Sequence, residues 1–229
     1  MRMIKDIFFD LDNTLWDFKK SSEMALKEVF SNFGLIAEFK NYLIFHTIYE
    51  HHNKQMWVRY YNNGISRDDL IVRRFYLTLK ERGIDDIELA EDINRNYMDL
   101  CDIYTYLYPN TMETLEFLCK QGYTLHAISN GFEEVQLRKI SKLGLTNLLS
   151  TVTCSETAGV CKPHKGIFDY ALSLAKASKD TTLLVGDDIN TDIKGAVNYG
   201  IKAIHLSSKK EFANRIESIT ELRDILLSS

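Results

Sequence analysis

Proline is nearly absent from these 229 residues: Pro109 and Pro163 are the only two, so no proline-rich linker separates modules. Cysteine is scarce as well. Cys101, Cys119, Cys154 and Cys161 include no C-x-x-C pair, which argues against a disulfide framework at this size and for buried or incidental thiols. Basic residues fall short of acidic ones, 28 against 32, and a net charge of −4 leaves no electrostatic footprint for a nucleic-acid polymer. Arg73-Arg74 and Lys209-Lys210 are isolated pairs and read as solvated faces. No run approaches the roughly 18 apolar residues of a membrane helix. The opening apolar run is too short for a signal peptide and meets acids at once. A cytoplasmic protein with no membrane partner is expected.

What remains is ordinary globular composition, 45% hydrophobic and 26% charged. Five short apolar runs read as buried strands: 4–10, 123–129, 148–154, 182–187 and 201–206. Helical patterns lie between the last four, as parallel βαβ units require. Asn110 followed by Glu113 predicts a helix start, Gly122 its stop, and Pro163 the first turn of a later helix. Between the first strand and the second, some ninety residues show only helical stripes, such as Ala25, Val29 and Phe33, or Leu89, Ile93, Tyr97, Leu100 and Tyr104. Ser66 and Asp69 make a capping box ahead of Ile71 and Phe75. The expected architecture is a Rossmann-like, doubly wound α/β core over 1–15 and 105–229, interrupted by an all-helical insert over 16–104.

The stretch FFDLDNTLWD, residues 8–17, sets the chemical problem. An apolar run ends in Asp10 and Asp12, which an extended chain would aim to one side. Two ionised carboxylates at roughly 5 Å and an effective dielectric near 20 repel by about 3 kcal/mol. A proton on one, a cation between them, or both would relieve this. In open parallel sheets ligands bind where strands end. Those ends carry Asp10, Asp12 and Thr14, then Ser129-Asn130-Gly131, then Asp187, Asp188 and Asp192, with Lys162 in a loop entering a helix. Carboxylates without His or Cys suit Mg²⁺ better than Zn²⁺, and Ser129 with Lys162 suits an anion. A divalent cation beside an anion hole and a carboxylate nucleophile is the equipment of phosphoryl transfer.

DLDNT at 10–14, SNG at 129–131, KP at 162–163 and GDDINTD at 186–192 resemble the four motifs of the haloacid dehalogenase-like superfamily, in order. The likeness spans essentially the whole chain, and the helical insert resembles the family's type 1 cap. The resemblance implies a phosphatase working through an aspartyl phosphate. Asp10 would be the nucleophile, and Asp12 the acid for the leaving alcohol and then the base for water. Ser129 and the Asn130 amide would bind the phosphoryl oxygens, helped by Lys162. Mg²⁺ would sit on Asp10, Asp187 and the Asp12 carbonyl. Thr14 would fix the loop, Asp192 would support the metal or hold Lys162, and Asp188 would be a neighbour of the metal ligands or a turn residue. On this reading Asp12 holds the relieving proton.

Asp12 argues against a dehalogenase, since halide leaves without a proton; a phosphomutase or a non-catalytic binding protein are further alternatives. The substrate belongs to the insert. Most of its aromatics, including Tyr42, Phe45, Tyr49, Trp57, Tyr60 and Tyr61, read as core, and His46, His51 and His52 as packing or surface. Trp16, four residues past Asp12, is a candidate to stack on a base or shield the site. DLDNTLWDFKKS, SNGFEEVQLRKI and SETAGVCKP look most like the pyrimidine 5′-nucleotidase branch. That likeness implies a nucleoside monophosphate as small-molecule substrate, with a sugar phosphate or other metabolite as the alternative.

Overall fold

Six short strands line up in parallel in the computed structural model, which describes residues 3–62, 64–209 and 211–227. In chain order, β1 (Asp6–Phe9) is followed by five helices: α1 (Phe18–Asn32), α2 (Ile36–Phe39), α3 (Tyr42–Tyr61), α4 (Arg67–Lys80) and α5 (Ile87–Ile103). Then come α6 (Thr111–Lys120), β2 (Thr124–Ser129), α7 (Glu133–Lys142), β3 (Leu149–Cys154), α8 (Ser155–Ala158) and α9 (Lys165–Ala175). The chain finishes with β4 (Thr182–Gly186), α10 (Gly195–Tyr199), β5 (Lys202–Leu206), β6 (Arg215–Ile216) and α11 (Leu222–Leu227). Sheet order β3-β2-β1-β4-β5-β6 places β1 between the two directions of winding, where a doubly wound sheet opens its crevice.

The chain divides into two units, Phe18–Thr105 and the remainder. In the sheet unit, β1 and β4 are apolar on both faces because helices cover both, as an all-parallel sheet demands. Phe8 lies between His126 and Leu184 in register, and Phe9 between Ala127 and Val185. Ile167, Phe168, Ile193 and Ala196 pack against Phe8, Ile128 and Leu184 on one face.

In the helical unit, side-chain caps start three helices. Asn41 accepts from the Ile44 amide at 3.0 Å, Ser66 from Asp69 at 3.0 Å, and Asp86 from Leu89 at 2.9 Å. The stripes converge on an aromatic core in which Tyr49 stacks on Phe75 at 4.9 Å and Phe75 meets Tyr97 edge-on at 5.4 Å. Phe45 and Tyr49 are buried as expected, whereas Tyr61 is exposed and Trp57 packs on Tyr60 and Tyr61 at the end of α3.

Three local expectations are revised. Arg74 is buried, not solvated: successive helical positions lie about 100° apart, so Arg73 faces outward to Asp69 while Arg74 turns in with Leu70 and Thr78. There its guanidinium lies over the Tyr97 and Phe75 rings and donates to Asn94 at 3.0 Å. Lys209 is exposed, and Lys210 lies outside the described residues. Pro163 stays outside the helix, which begins at Lys165 behind the His164 cap. Asn110 precedes α6 as expected, but in a left-handed conformation without a capping bond. The two-residue β6 is too short to leave a strand pattern. Among the described residues no helix is long and apolar enough to cross a membrane.

His126 gives the sheet a pH dependence. It is buried, stacked on Phe8 at 4.6 Å and hydrogen-bonded to Thr151 at 2.8 Å. Burial lowers its pKa from 6.5, against the opposing pull of Asp6. Below pH 6.5 the unfolded chain takes up a proton that the folded imidazole resists, so stability is present above that pH and declines as pH falls. Thermal unfolding at pH 7.5 and pH 5 should show a smaller acid-induced drop for His126→Phe than for the parent protein. Equal drops would remove His126 from the account.

Candidate active site

The carboxyl ends of β1, β2 and β4 bring the motif residues together. The Asp10 amide donates to Val185 O at 2.9 Å, continuing the ladder one residue past β1. The chain then curls: Thr14 and Leu15 donate back to Leu11 O, and Asn13 takes φ +66°, a left-handed turn that Asn tolerates. Asp10 and Asp12 meet different partners. Asp10 points to Lys162, whose ammonium lies 2.6 Å from Asp10 Oδ1 and 2.7 Å from Asp192 Oδ1, and donates to Ile128 O at 2.9 Å. Asp12 points to α7.

Two buried lysines therefore divide the aspartates between them. Lys139 Nζ donates to Asp12 Oδ1 at 3.0 Å, and the Trp16 indole donates to the same oxygen at 2.7 Å. Gln136 Nε2 donates to Asp12 Oδ2 at 2.5 Å and to Ser129 Oγ at 3.3 Å. Burial alone would raise the Asp12 pKa, but Lys139, the indole and the amide outweigh it and hold the carboxyl below its ordinary value. Lys139 thus offsets the repulsion of Asp12 from Asp10 and favours the charged carboxylate. Trp16 is fully buried, its ring 5.5 Å from the Lys139 ammonium, with its polar edge committed to Asp12.

Gln136 and Lys139 went unidentified in the sequence because neither adjoins a motif. The legible signal was their i, i+3 spacing at the start of a helix that follows SNG, which puts both on the face carrying Val135 and Ile140. Ser129 is buried, and its hydroxyl also accepts the Gly131 amide at 3.0 Å. Asn130 clasps the Lys162 backbone twice, accepting from its amide at 2.7 Å and donating to its carbonyl at 3.1 Å. That clasp holds Lys162, next to a cis peptide at Pro163, against the end of β2.

Past β4, a wide helical turn at Ile189–Lys194 presents the remaining acids. Asp188 spends its carboxylate on the amides of Asn190 and Thr191, both at 2.8 Å, and so caps that turn. Asp192 accepts the Asp188 amide at 3.1 Å and reaches Lys162 with its other oxygen. Gly186 makes this possible, since a Cβ there would stand 2.4 Å from the Asp192 carboxylate. Thr14 Oγ1 donates to Asp187 Oδ1 at 3.3 Å.

The carboxylates of Asp10, Asp187 and Asp192 lie within 4.8 Å of one another. Lys162 balances one of the three and leaves two in excess, the charge of one divalent cation, and an all-oxygen donor set suits a hard ion. The excess shows in the titration. Burial, Asp192 and Asp187 raise Asp10 well above the carboxylate range despite Lys162. Burial and Asp192 push Asp187 up to about 7.

A haloacid dehalogenase-like hydrolase family model matches residues 4–200. The chain belongs to the haloacid dehalogenase-like hydrolases. Within that family it is 31% identical to the glyceraldehyde 3-phosphate phosphatase of Pyrococcus furiosus, over 99% of this chain and 93% of that protein. It is 29% identical to the pyrimidine 5′-nucleotidase YjjG of Escherichia coli, over 88% of this chain and 85% of that one. The magnesium-bound structure of the HAD-hydrolase YfnB from Bacillus subtilis superposes with a TM-score of 0.87 at 24% identity, covering 99% and 100% of the two chains, and shares the fold.

The raised acids of this hydrolase predict how its metal-free form responds to pH. The unfolded Asp187 carboxyl gives up its proton near 3.8, while the folded one keeps it until about 7. Stability is therefore greatest at low pH for this group and is lost as pH rises through 7. In EDTA, the melting temperature should fall between pH 6 and pH 8, and Asp187→Asn should flatten that fall. A flat parent curve would contradict the charge excess.

Proposed function

We propose that the protein is a Mg²⁺-dependent phosphatase that hydrolyses a small phosphate monoester through an aspartyl phosphate on Asp10. The observation carrying this reading is the cluster of Asp10, Asp187 and Asp192, of which the buried Asp10 and Asp192 share Lys162, with the Ser129 hydroxyl at the neighbouring strand end. Asp10 and Asp187 would hold Mg²⁺ together with the Asp12 carbonyl, and Asp192 would secure Lys162 beside them. The ion supplies charge neutralisation for the phosphate and for the attacking carboxylate.

The steps belong to the chain's own residues. An Asp10 carboxylate oxygen attacks phosphorus, the bond to the ester oxygen breaks, and a proton from Asp12 goes to that oxygen. Water then attacks the phosphorus of the aspartyl phosphate, giving a proton to Asp12, and the bond to Asp10 breaks with release of inorganic phosphate. Ionised beside Lys139, Asp12 is ready as the base of the second step. A phosphate dianion brought beside it favours the proton it needs in the first. Ser129 and the Asn130 amide bind the phosphoryl oxygens, and Lys162 balances their charge.

For substrate, we favour a nucleoside 5′-monophosphate, supported by the likeness to a pyrimidine 5′-nucleotidase across 88% of the chain. A second reading, a short sugar phosphate, draws on the 31% identity to a glyceraldehyde 3-phosphate phosphatase. Phosphate release from nucleoside monophosphates, sugar phosphates and phosphoglycolate, with Mg²⁺ and with EDTA, separates them. Release led by dTMP, dUMP or UMP and abolished by EDTA is expected, whereas release led by glyceraldehyde 3-phosphate supports the second reading. No release from any ester would sink both.

Asp10→Asn should abolish turnover, by at least about 1,000-fold, with an unchanged circular dichroism spectrum. An active Asp10→Asn protein would contradict the nucleophile. Asp12→Asn should lower kcat/KM on a nucleotide far more than on p-nitrophenyl phosphate, because nitrophenolate departs almost without a proton. Equal losses on the two esters would remove Asp12 from the acid role.

A further inference from the structure

Asp12 is gripped on both carboxylate oxygens by groups outside the four catalytic motifs. Oδ1 receives Trp16 Nε1 and Lys139 Nζ, and Oδ2 receives Gln136 Nε2. Gln136 and Lys139 are 1% and 3% exposed and stand one turn apart on α7. The same Gln136 nitrogen reaches Ser129 Oγ, so one amide ties together residues from the first and second strand ends. Its carbonyl oxygen is buried without a hydrogen-bond partner, so the amide is held by what its nitrogen donates to. Gly131 makes room for it: a Cβ at that position would stand 2.0 Å from Gln136 Nε2. The glycine of SNG is thus shaped to the α7 side chain, not to a left-handed turn.

We infer that Gln136 and Lys139 are positioning residues of the hydrolysis: they hold the Asp12 carboxylate away from the Asp10, Asp187 and Asp192 cluster and aimed to serve the leaving group. The inference rests on the phosphatase reading of the same site. Without the clamp, Asp12 is free to turn toward a cation at that cluster, where a carboxylate becomes a ligand and ceases to be an acid. The lysine supplies attraction, the amide supplies direction, and the indole closes the remaining angle on Oδ1.

Two readouts test this, one independent of activity. The chain has two tryptophans, Trp16 and Trp57, so its indole N–H spectrum holds two signals, assigned by Trp57→Phe. In ¹⁵N-labelled protein kept in EDTA, Lys139→Met and Gln136→Met should each shift the Trp16 indole signal and leave that of Trp57 in place. With Mg²⁺, kcat/KM on an alkyl phosphate should fall by about 100-fold in both variants while that on p-nitrophenyl phosphate falls by less than about 5-fold. Lys139→Arg should recover most of the alkyl rate. Gly131→Ala should mimic Gln136→Ala, and the double variant should be no worse than either single one, because both remove the same contact.

An unmoved Trp16 signal in both variants would overturn the clamp. A shifted signal with an unchanged alkyl-to-aryl ratio would overturn the positioning role. A parent protein inactive on both esters would sink the phosphatase reading, and the positioning role with it, while the indole shifts would still report the contacts.

Discussion

Everything at the crevice depends on keeping two like charges apart, and a pair of buried lysines does it. Asp10 and Asp12 stand two residues apart at the end of a buried strand, yet they meet different partners. Lys162 takes Asp10 and Lys139 takes Asp12. The two ion pairs are not equivalent. Lys162 is shared with Asp192 and leaves its side of the crevice short of positive charge. Lys139 lies 3.0 Å from Asp12 on the other side. The excess of carboxylate therefore lies on the Lys162 side, where Asp10, Asp187 and Asp192 gather.

The sheet makes this division possible. Strand order β3-β2-β1-β4-β5-β6 sets β2 and β4 on either side of β1, so that residues remote in sequence end at one level. Lys162 reaches Asp10 across 152 positions and Lys139 reaches Asp12 across 127. Small residues then admit the polar groups: Gly186 leaves space for Asp192, and Gly131 for Gln136. In both places a glycine serves close approach, its missing Cβ replaced by a functional side chain.

Much of this was legible in the sequence, for identifiable reasons. The apolar runs gave all but the two-residue strand, since a buried parallel strand leaves few polar residues in its pattern. The acids at strand ends gave Asp10, Asp187 and Asp192, because topology alone brings such ends together. Lys139 carried only a spacing signal, because a lysine on an amphipathic helix looks the same whether it faces solvent or a buried carboxylate. Arg74 was misread for a related cause: adjacent arginines look alike in a string, while a helix turns one inward onto Tyr97.

The Asn130 clasp has a consequence for how such a protein can vary. Because both bonds go to the Lys162 backbone, the position of that lysine is dictated from the end of the neighbouring strand and not by its own approach. Ser155 adds a third tie, its hydroxyl donating to the Asn130 carbonyl at 3.1 Å, so both ends of the segment from Ser155 to Lys162 are pinned to one asparagine. A change at Asn130 would therefore displace the ammonium without touching the lysine that carries it.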